Sequence, residues 1–239
     1  DLTENLFTDL IKKVTPHKRI LEPFPKLTFK EAMLRFGSDK PDLRFGMEIQ
    51  ELSNIAEQSN VGILKSAVQD GGVVRGIKAV GCANYSRRQI DQLVELARSQ
   101  GAQGLIAINL VGEDEIISLD GIRSSISRAL TEEDLQTITK YFDAKNGDLI
   151  LIVAGSESVV APALGVIRQE MGLQMKLPPE DLLALGFITD MPLFEWNEEE
   201  NRWNSVHHPF TAPIESDISK ISTDPGTIMS RSYDMICNG

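Results

Sequence analysis

The middle of the chain alternates apolar, strand-like runs with amphipathic helical segments, and this alternation restricts the folds open to it. The strand-like runs cover residues 73–79, 104–111 and 149–154. Helical apolar periods begin after Ser86, Thr131 and Ser156, three residue types that cap helix N-termini, and we predict that Gly101 and Gly172 end two of these helices. Strands that alternate with helices bury their faces against them, so the sequence predicts an α/β (α+β) fold with a helix-covered β-sheet.

Both ends of the chain carry shorter structural signals. Residues 3–14 have a helical apolar period, for which Thr3 is the predicted N-cap. Thr28 and Glu31 form a capping-box pattern that begins a second helix, which we expect to stop at Gly37. Strand-like segments near the other end are predicted at 182–189, 202–206 and 232–236.

The net charge of −11 is spread unevenly along the 239 residues. Residues 1–45 carry nine Lys/Arg against seven Asp/Glu, residues 46–180 carry 12 against 18, and residues 181–239 carry three against ten. A protein that grips nucleic acid over a broad surface is usually basic, because phosphate neutralisation dominates its affinity. Any contact with nucleic acid must therefore be local, whereas an acidic C-terminal third suits a site that holds Mg²⁺ with a nucleotide.

The sequence also bears on location and completeness. No apolar run approaches the roughly 20 residues that a membrane-spanning helix needs, and the first residues lack the basic start of a secretory signal. Cys82 and Cys237 lie far apart and match no metal or redox spacing, so we expect a reducing cytoplasm and no membrane association. Because the first residue is Asp1 rather than Met, we expect the numbering to begin inside a longer chain.

Two sequence runs carry a family resemblance. The first is His-His-Pro-Phe-Thr-Ala-Pro at 207–213, which follows an apolar stretch at 187–196 and the acidic residues 198–200. The second is Phe-Gly-Ser-Asp-Lys-Pro-Asp-Leu-Arg-Phe at 36–45. Together they resemble the catalytic domain of bacterial-type aspartyl-tRNA synthetase, a class II aminoacyl-tRNA synthetase. Residues 46–180 resemble the GAD domain that bacterial members of this family carry as an insertion and share with a subunit of tRNA-dependent amidotransferase.

The resemblance implies a domain order and an activity. Residues 1–45 and 181–239 would be two incomplete parts of an antiparallel catalytic domain, and residues 46–180 the GAD-like domain inserted between them. The family activates L-aspartate with ATP and Mg²⁺ and transfers it to tRNA(Asp), in some members also to tRNA(Asn), and it is dimeric. Because other motifs of the family fall outside this sequence, we expect the isolated chain to form no adenylate.

The resemblance also assigns three site residues. His207 corresponds to the histidine that contacts the bound aspartate, and His208 is its supporting neighbour in the same aspartate site. Asp234 corresponds to a carboxylate that helps to hold Mg²⁺ on the ATP phosphates. The residue types suit these roles, since an imidazole hydrogen-bonds a carboxylate and a hard cation takes carboxylate oxygens.

Residue chemistry alone leaves other interpretations open for these positions. Adjacent histidines on a strand point to opposite faces, so one zinc ion shared by His207 and His208 is disfavoured and a turn histidine is the plain alternative. A single Asp such as Asp234 is most often solvated or paired. The run at 38–44 is good turn chemistry, although Lys40 and Arg44 could also meet phosphate or tRNA.

Arg87 and Arg88 stand at a predicted helix start, where positive charge opposes the helix dipole. A solvated helix face and a local tRNA contact both account for them. Two further functional alternatives remain at this level. One is a non-catalytic module that binds tRNA or a partner protein through the middle domain, and the other is a metal-dependent hydrolase that uses His207.

Overall fold

The computed structural model of the chain describes residues 2–112, 116–208 and 210–239. Within them the helices are α1 (Leu2–Val14), α2 (Phe29–Phe36), α3 (Ser53–Gln58), α4 (Gly62–Gln69), α5 (Arg87–Ser99), α6 (Glu132–Tyr141) and α7 (Glu157–Gln174). The strands are β1 (Arg19–Ile20), β2 (Lys26–Thr28), β3 (Gln50–Glu51), β4 (Val73–Ala79), β5 (Ile106–Leu110), β6 (Ile122–Ser124), β7 (Leu149–Gly155), β8 (Leu182–Leu183), β9 (Leu185–Thr189), β10 (Phe194–Asn197), β11 (Arg202–Ser205) and β12 (Asp234–Cys237).

The chain divides into two compact units, and the first is discontinuous in sequence. The first unit comprises Asp1–Met33, Asp39–Arg44 and Pro178–Gly239, and the second comprises Leu34–Ser38 and Phe45–Leu177. No helix in the described ranges is both long enough and apolar enough to cross a bilayer.

The second unit is built on a five-stranded sheet in the order β3-β4-β7-β5-β6, in which every neighbouring pair is antiparallel. Side chains of a strand point alternately to the two faces. One face buries Ile77, Leu149 and Leu151 against α5 and α7. The other buries Ile150 and Ile152 against α3, α4 and α6. The predicted mixed α/β fold with a helix-covered sheet is therefore confirmed.

The first unit contains a smaller sheet with β9 at its centre, paired antiparallel with β12 and parallel with β2. Phe24, Leu185 and Phe187 form its buried cluster, and Phe7 and Ile11 of α1 pack against that cluster. The hairpin β10–β11 and the two-residue parallel pair β1–β8 complete the strands in the described part of this unit. The sheet centred on β9 positions Asp234, which lies in β12.

The capping signals in the sequence are confirmed at three helices. At α2, the Thr28 hydroxyl accepts from the Glu31 backbone N–H at 3.1 Å, and the Glu31 carboxylate accepts from the Thr28 N–H at 2.8 Å. Ser86 and Thr131 form equivalent reciprocal pairs at the starts of α5 and α6. Each pair satisfies amide groups that the helix itself leaves without a partner, and this is why short polar patterns located the helices.

Two helix-end predictions were wrong, and a third, Ser156, holds for the position but not for a capping bond. Thr3 lies inside α1, which already includes Leu2, so it is not the N-cap. Ser156 occupies the N-cap position of α7, but its hydroxyl meets Ser158 at 3.2 Å and makes no capping bond. Gly172 does not end α7, which continues to Gln174. A Cβ at Gly172 would lie 2.4 Å from the Phe45 ring, so this glycine makes room for an aromatic side chain.

Within the second unit, residues 34–38 and 45–46 are fastened to α7. Gly37 crosses Gly165 so closely that a Cβ on Gly165 would lie 2.3 Å from the Gly37 carbonyl oxygen. Arg168 is 2% exposed and lies over the rings of Phe36 and Phe45, at 4.8 and 4.1 Å from their centroids. Its guanidinium also donates to the carbonyls of Phe45 and Gly46. Burying an arginine requires such partners, so these contacts anchor the segment.

Candidate functional site

The hairpin β10–β11 of the first unit positions His207. Phe194 pairs with Ser205, and the Val206 N–H then donates to the Leu193 carbonyl at 3.0 Å, which extends the pairing by one step. His207 follows directly, and its carbonyl accepts from the Ser205 hydroxyl at 2.8 Å. The backbone of His207 is therefore held by the end of the hairpin.

The imidazole of His207 is half-buried, and its Nε2 atom is fully buried with no hydrogen-bond partner among the described residues. A buried polar atom left unsatisfied costs about 1–3 kcal/mol. Protein structures retain few such atoms, and each one calls for an explanation such as a bound ligand or a further polar group. This nitrogen is the strongest sign of a binding role in the run that the sequence singled out.

His208 has a different environment. Its side chain is exposed, its Nδ1 accepts from the Phe210 N–H at 3.4 Å, and the two rings lie 4.8 Å apart. The Thr211 N–H donates to the His208 carbonyl at 2.8 Å and closes a turn. Pro209, the next residue of the run singled out in the sequence, lies outside the described residues. His208 therefore contributes to the local turn, next to the partly buried ring of His207.

Asp234 is the first residue of β12 and lies opposite Ile188 of β9. It is half-buried. By strand alternation it shares a face with Ile236, whereas Met235 points to the other face and packs on the cluster that contains Phe187. The carboxylate thus stands on the sheet face opposite the α1 contact.

The backbone links the histidine turn to the approach of β12. The Leu193 N–H donates to Ile228, and the Ser230 N–H donates to Met191 at 2.7 Å. The Arg231 N–H donates to Ala212 at 2.8 Å, just past the histidine turn. One hydrogen-bonded arrangement in the first unit therefore carries His207, His208 and the segment that leads to Asp234.

That arrangement does not join the side chains directly. Within residues 2–112, 116–208 and 210–239, no hydrogen bond or ion pair connects either histidine with Asp234. The same ranges hold no group of three or more His, Cys, Asp or Glu side chains placed to bind a metal. Mg²⁺ often takes only one or two protein carboxylates and completes its coordination shell with phosphates and water. A single carboxylate, that of Asp234, is compatible with this kind of site.

A buried ion pair near this region was missed in the sequence. Arg44 donates to both carboxylate oxygens of Asp42, at 3.0 Å through Nε and 2.7 Å through Nη2, and these hydrogen bonds raise the pKa of Arg44. Asp42 also lies next to Gly239, just past β12, where an added Cβ would come within 3.2 Å of it. The guanidinium of Arg44 is therefore engaged inside the turn at 38–44. The Asp-x-Arg spacing was the available signal.

Both units have counterparts in known proteins. The GAD domain family matches residues 64–164, all within the second unit. The whole chain aligns with aspartate–tRNA(Asp/Asn) ligase of Dehalococcoides mccartyi (strain CBDB1) at 42% identity, and with aspartate–tRNA ligase of Clostridium tetani (strain Massachusetts / E88) at 43%. The chain is similar over its whole length to bacterial aspartate–tRNA ligases. The resemblance inferred from the two motifs is confirmed, and it covers the whole chain.

The alignment covers only part of each ligase. The chain spans 40% of the length of the Dehalococcoides protein and 39% of the Clostridium protein. A third relative, the aspartate–tRNA(Asp/Asn) ligase of Symbiobacterium thermophilum, is 44% identical over 91% of the chain and 37% of its own length. The GAD match and the flanking residues of the first unit therefore correspond together to about two fifths of these ligases.

Proposed function

We propose that this chain forms part of an aspartate–tRNA ligase and supplies residues of its aspartate and nucleotide site. The supporting observation from the comparisons is that identity extends over both units rather than over the GAD domain alone. The activity belongs to the whole ligase, of which the aligned residues are about two fifths.

The proposed reaction has two steps. The carboxylate of L-aspartate attacks the α-phosphate of ATP, which forms aspartyl-adenylate and releases pyrophosphate. A hydroxyl of the terminal ribose of tRNA(Asp) then attacks the acyl carbon and releases AMP. Reactions of this type depend mainly on holding the reactants in line and on neutralising phosphate charge. A second acceptor, tRNA(Asn), is the alternative, since relatives named for both tRNAs and a relative named without tRNA(Asn) align with the chain.

The unpartnered Nε2 of His207 carries this proposal in the structure. We assign it as a donor to a carboxylate oxygen of bound aspartate. Because Nε2 is covered in this structure, this bond requires the groups over it to move when aspartate binds at the end of the hairpin. His208 supports the same site by fixing the turn through its backbone carbonyl and its ring contact with Phe210.

Asp234 is proposed to supply one carboxylate oxygen to Mg²⁺ bound on the ATP phosphates. The metal would neutralise phosphate charge when bound. Asp234 itself holds its oxygen in place because β12 is fixed in the sheet by its pairing with β9. We further propose that the ligase is cytoplasmic and that it is a homodimer.

The distribution of exposed apolar side chains supports the idea that the first unit belongs to a larger domain. Sixteen large hydrophobic residues of the described chain are exposed, and eleven of them lie in the first unit, although that unit is the smaller one. A domain with a complete core normally leaves few large apolar side chains in contiguous patches on its surface.

The test is a chimera in which this chain replaces the aligned segment of the Dehalococcoides ligase. We expect aspartate-dependent ATP–pyrophosphate exchange from the chimera and none from the chain alone. His207→Ala should weaken aspartate binding in the chimera by about 10- to 100-fold, the range for losing a hydrogen bond to a charged group. His17→Ala, which changes an exposed histidine of the same unit, is the matched control.

Two outcomes would contradict the proposal. One is a folded chimera with no exchange activity, and the other is an equal loss for His207→Ala and His17→Ala. The metal-dependent hydrolase alternative has no three-ligand cluster in the described ranges to support it. A binding role for the GAD domain remains compatible with the ligase, and a specific groove in the second unit bears on it.

A further inference from the structure

A groove of about 460 Å³ runs along the second unit between α5 and the edge strand β6. Its floor and one wall are apolar, formed by Leu105 and Ala107 of the sheet side and by Ile90 and Val94 of α5. Two arginines, Arg87 and Arg123, line it together with Tyr85, Asn109 and two serines, Ser124 and Ser125. Asp91 is the one acidic residue among the lining residues.

Arg123 is held in position by the fold. It lies opposite Asn109 across the β5–β6 pair. Its Nη2 donates to the Ala83 carbonyl at 2.9 Å, and the buried amide of Asn109 donates to the same oxygen at 2.9 Å. The Ala83 N–H is bound in turn to the Gly147 carbonyl. One nitrogen of the guanidinium is therefore fixed on the loop before α5, and this is the one hydrogen bond of the side chain within the described residues.

The positive charge of Arg87 does not stabilise the helix that it begins. Arg87 is the first residue of α5, where the Ser86–Gln89 capping box already satisfies the helix start and where a cation opposes the dipole. Among the described residues Arg87 makes no ion pair, not even with Asp91 one turn later. Arg88 adds a second charge that opposes the dipole at the next position. Helix stability does not explain these cations, and the position of Arg87 in the lining of the groove favours an anionic partner over a merely solvated helix face.

We propose that Arg87 and Arg123 bind phosphate groups of an RNA backbone in this groove. Guanidinium groups match phosphate geometry, since they donate two parallel hydrogen bonds to its oxygens. The hydroxyls of Ser124 and Ser125 offer further donors that suit phosphate and ribose oxygens, whereas the Tyr85 hydroxyl already donates to Gln174 at 3.0 Å. The choice of RNA rests on the proposed function, because the relatives are named as ligases of tRNA. A local groove also reconciles RNA contact with the acidic charge of the surrounding residues.

The test measures binding of the intact chain to a fluorescent tRNA(Asp) transcript across a range of salt concentrations. The double substitution Arg87→Gln/Arg123→Gln removes two proposed phosphate contacts. The plot of the logarithm of the association constant against log salt should therefore become less steep by about 1.8, which corresponds to about 30-fold weaker binding at 0.15 M salt. Asp91→Asn should strengthen binding, because it removes the one negative charge in the groove.

Arg98→Gln/Lys140→Gln is the matched control. It makes the same change in charge at two exposed positions that do not line the groove, in the last turns of α5 and α6. Amide spectra of each variant establish that it is folded. Inorganic phosphate and an unrelated DNA duplex serve as competitors, and they should displace the transcript only at much higher concentration than unlabelled tRNA.

The proposal is overturned if the groove variant and the control variant lose the same affinity, if the salt slope is unchanged, or if phosphate competes as well as tRNA. These results are separable from the ligase activity. A chimera that charges tRNA while the groove variants bind RNA normally would remove the groove proposal and leave the proposed function standing. RNA binding that depends on the two arginines, together with an inactive chimera, would support the groove proposal and contradict the proposed function.

Discussion

At the scale of single residues, Asp134 shows how one carboxylate can organise a helix start. It accepts from the backbone N–H and hydroxyl of Thr131 and from the backbone N–H of Asn60. Burial raises the pKa of this carboxyl, but the hydrogen bonds from Thr131 and Asn60 outweigh burial, and its pKa lies below the ordinary value of 3.8. A carboxyl group with a lower pKa in the folded state stabilises that state above the unfolded pKa, and the contribution is lost as the pH falls through the folded value.

We therefore expect Asp134→Ala to lower the free energy of unfolding of the second unit by about 2 kcal/mol at pH 7, from its lost capping bonds. The difference from the natural chain should shrink as the pH falls below 3.8, because both proteins then lack the charged carboxylate. Urea unfolding, followed by far-ultraviolet circular dichroism at a series of pH values, measures this difference in the free energy of unfolding. Glu133→Ala, an exposed neighbour in the same helical turn, should cost much less, and a pH-independent loss for Asp134→Ala would contradict the assignment.

At the scale of one element, α7 combines a helical sequence with contacts that its own residues do not reveal. Alanine normally stabilises a helix interior by about 1 kcal/mol relative to glycine. At Gly172 the opposite is expected, because a Cβ would lie 2.4 Å from the Phe45 ring, and overpacking costs about 1–3 kcal/mol. Gly172→Ala should therefore lower stability, whereas Gly62→Ala in α4, where a Cβ meets nothing within 4 Å, should raise it slightly.

A double-mutant cycle separates steric conflict from other effects of the Gly172 substitution. Phe45→Leu removes the ring that the new Cβ would meet, so Gly172→Ala should cost less in that background than in the natural chain. The free energy of unfolding from urea titrations measures all four proteins. Equal costs in both backgrounds would show that the Phe45 ring is not the reason for the glycine.

These elements also show which parts of the fold the sequence could predict. The capping boxes at Thr28, Ser86 and Thr131 are local patterns, so they located three helix starts without knowledge of the tertiary structure. Gly172 was misread as a helix end because its reason is a contact with Phe45, far along the chain. The family motif pointed to His207, but the burial of its Nε2 is a property of the folded structure and could not be read from the run 207–213.

At the scale of the whole molecule, the two units differ in how completely they bury their apolar residues. In α1, Phe7 and Ile11 pack inward, while Leu6 and Leu10 lie on the other side and are 61% and 50% exposed. Leu2 and Val14 continue the same stripe, because residues four apart share a helix face. If the chain is part of the proposed ligase, we expect this stripe to be an internal packing surface of the larger protein.

That assignment predicts opposite results in two contexts. In the chain alone, Leu6→Glu/Leu10→Glu should leave the free energy of unfolding within about 0.5 kcal/mol of the natural value, because exposed substitutions are usually mild, and it should reduce self-association measured by sedimentation. In the chimera with the Dehalococcoides ligase, the same pair should abolish soluble, active enzyme, since a buried unpaired carboxylate is strongly unfavourable. Leu173→Glu, which changes a residue of the second unit that is 60% exposed, should be tolerated in both contexts. Exchange activity of the chimera that survives Leu6→Glu/Leu10→Glu would mean that the stripe faces solvent in the ligase as well, and the apolar surface of the first unit would then need another explanation.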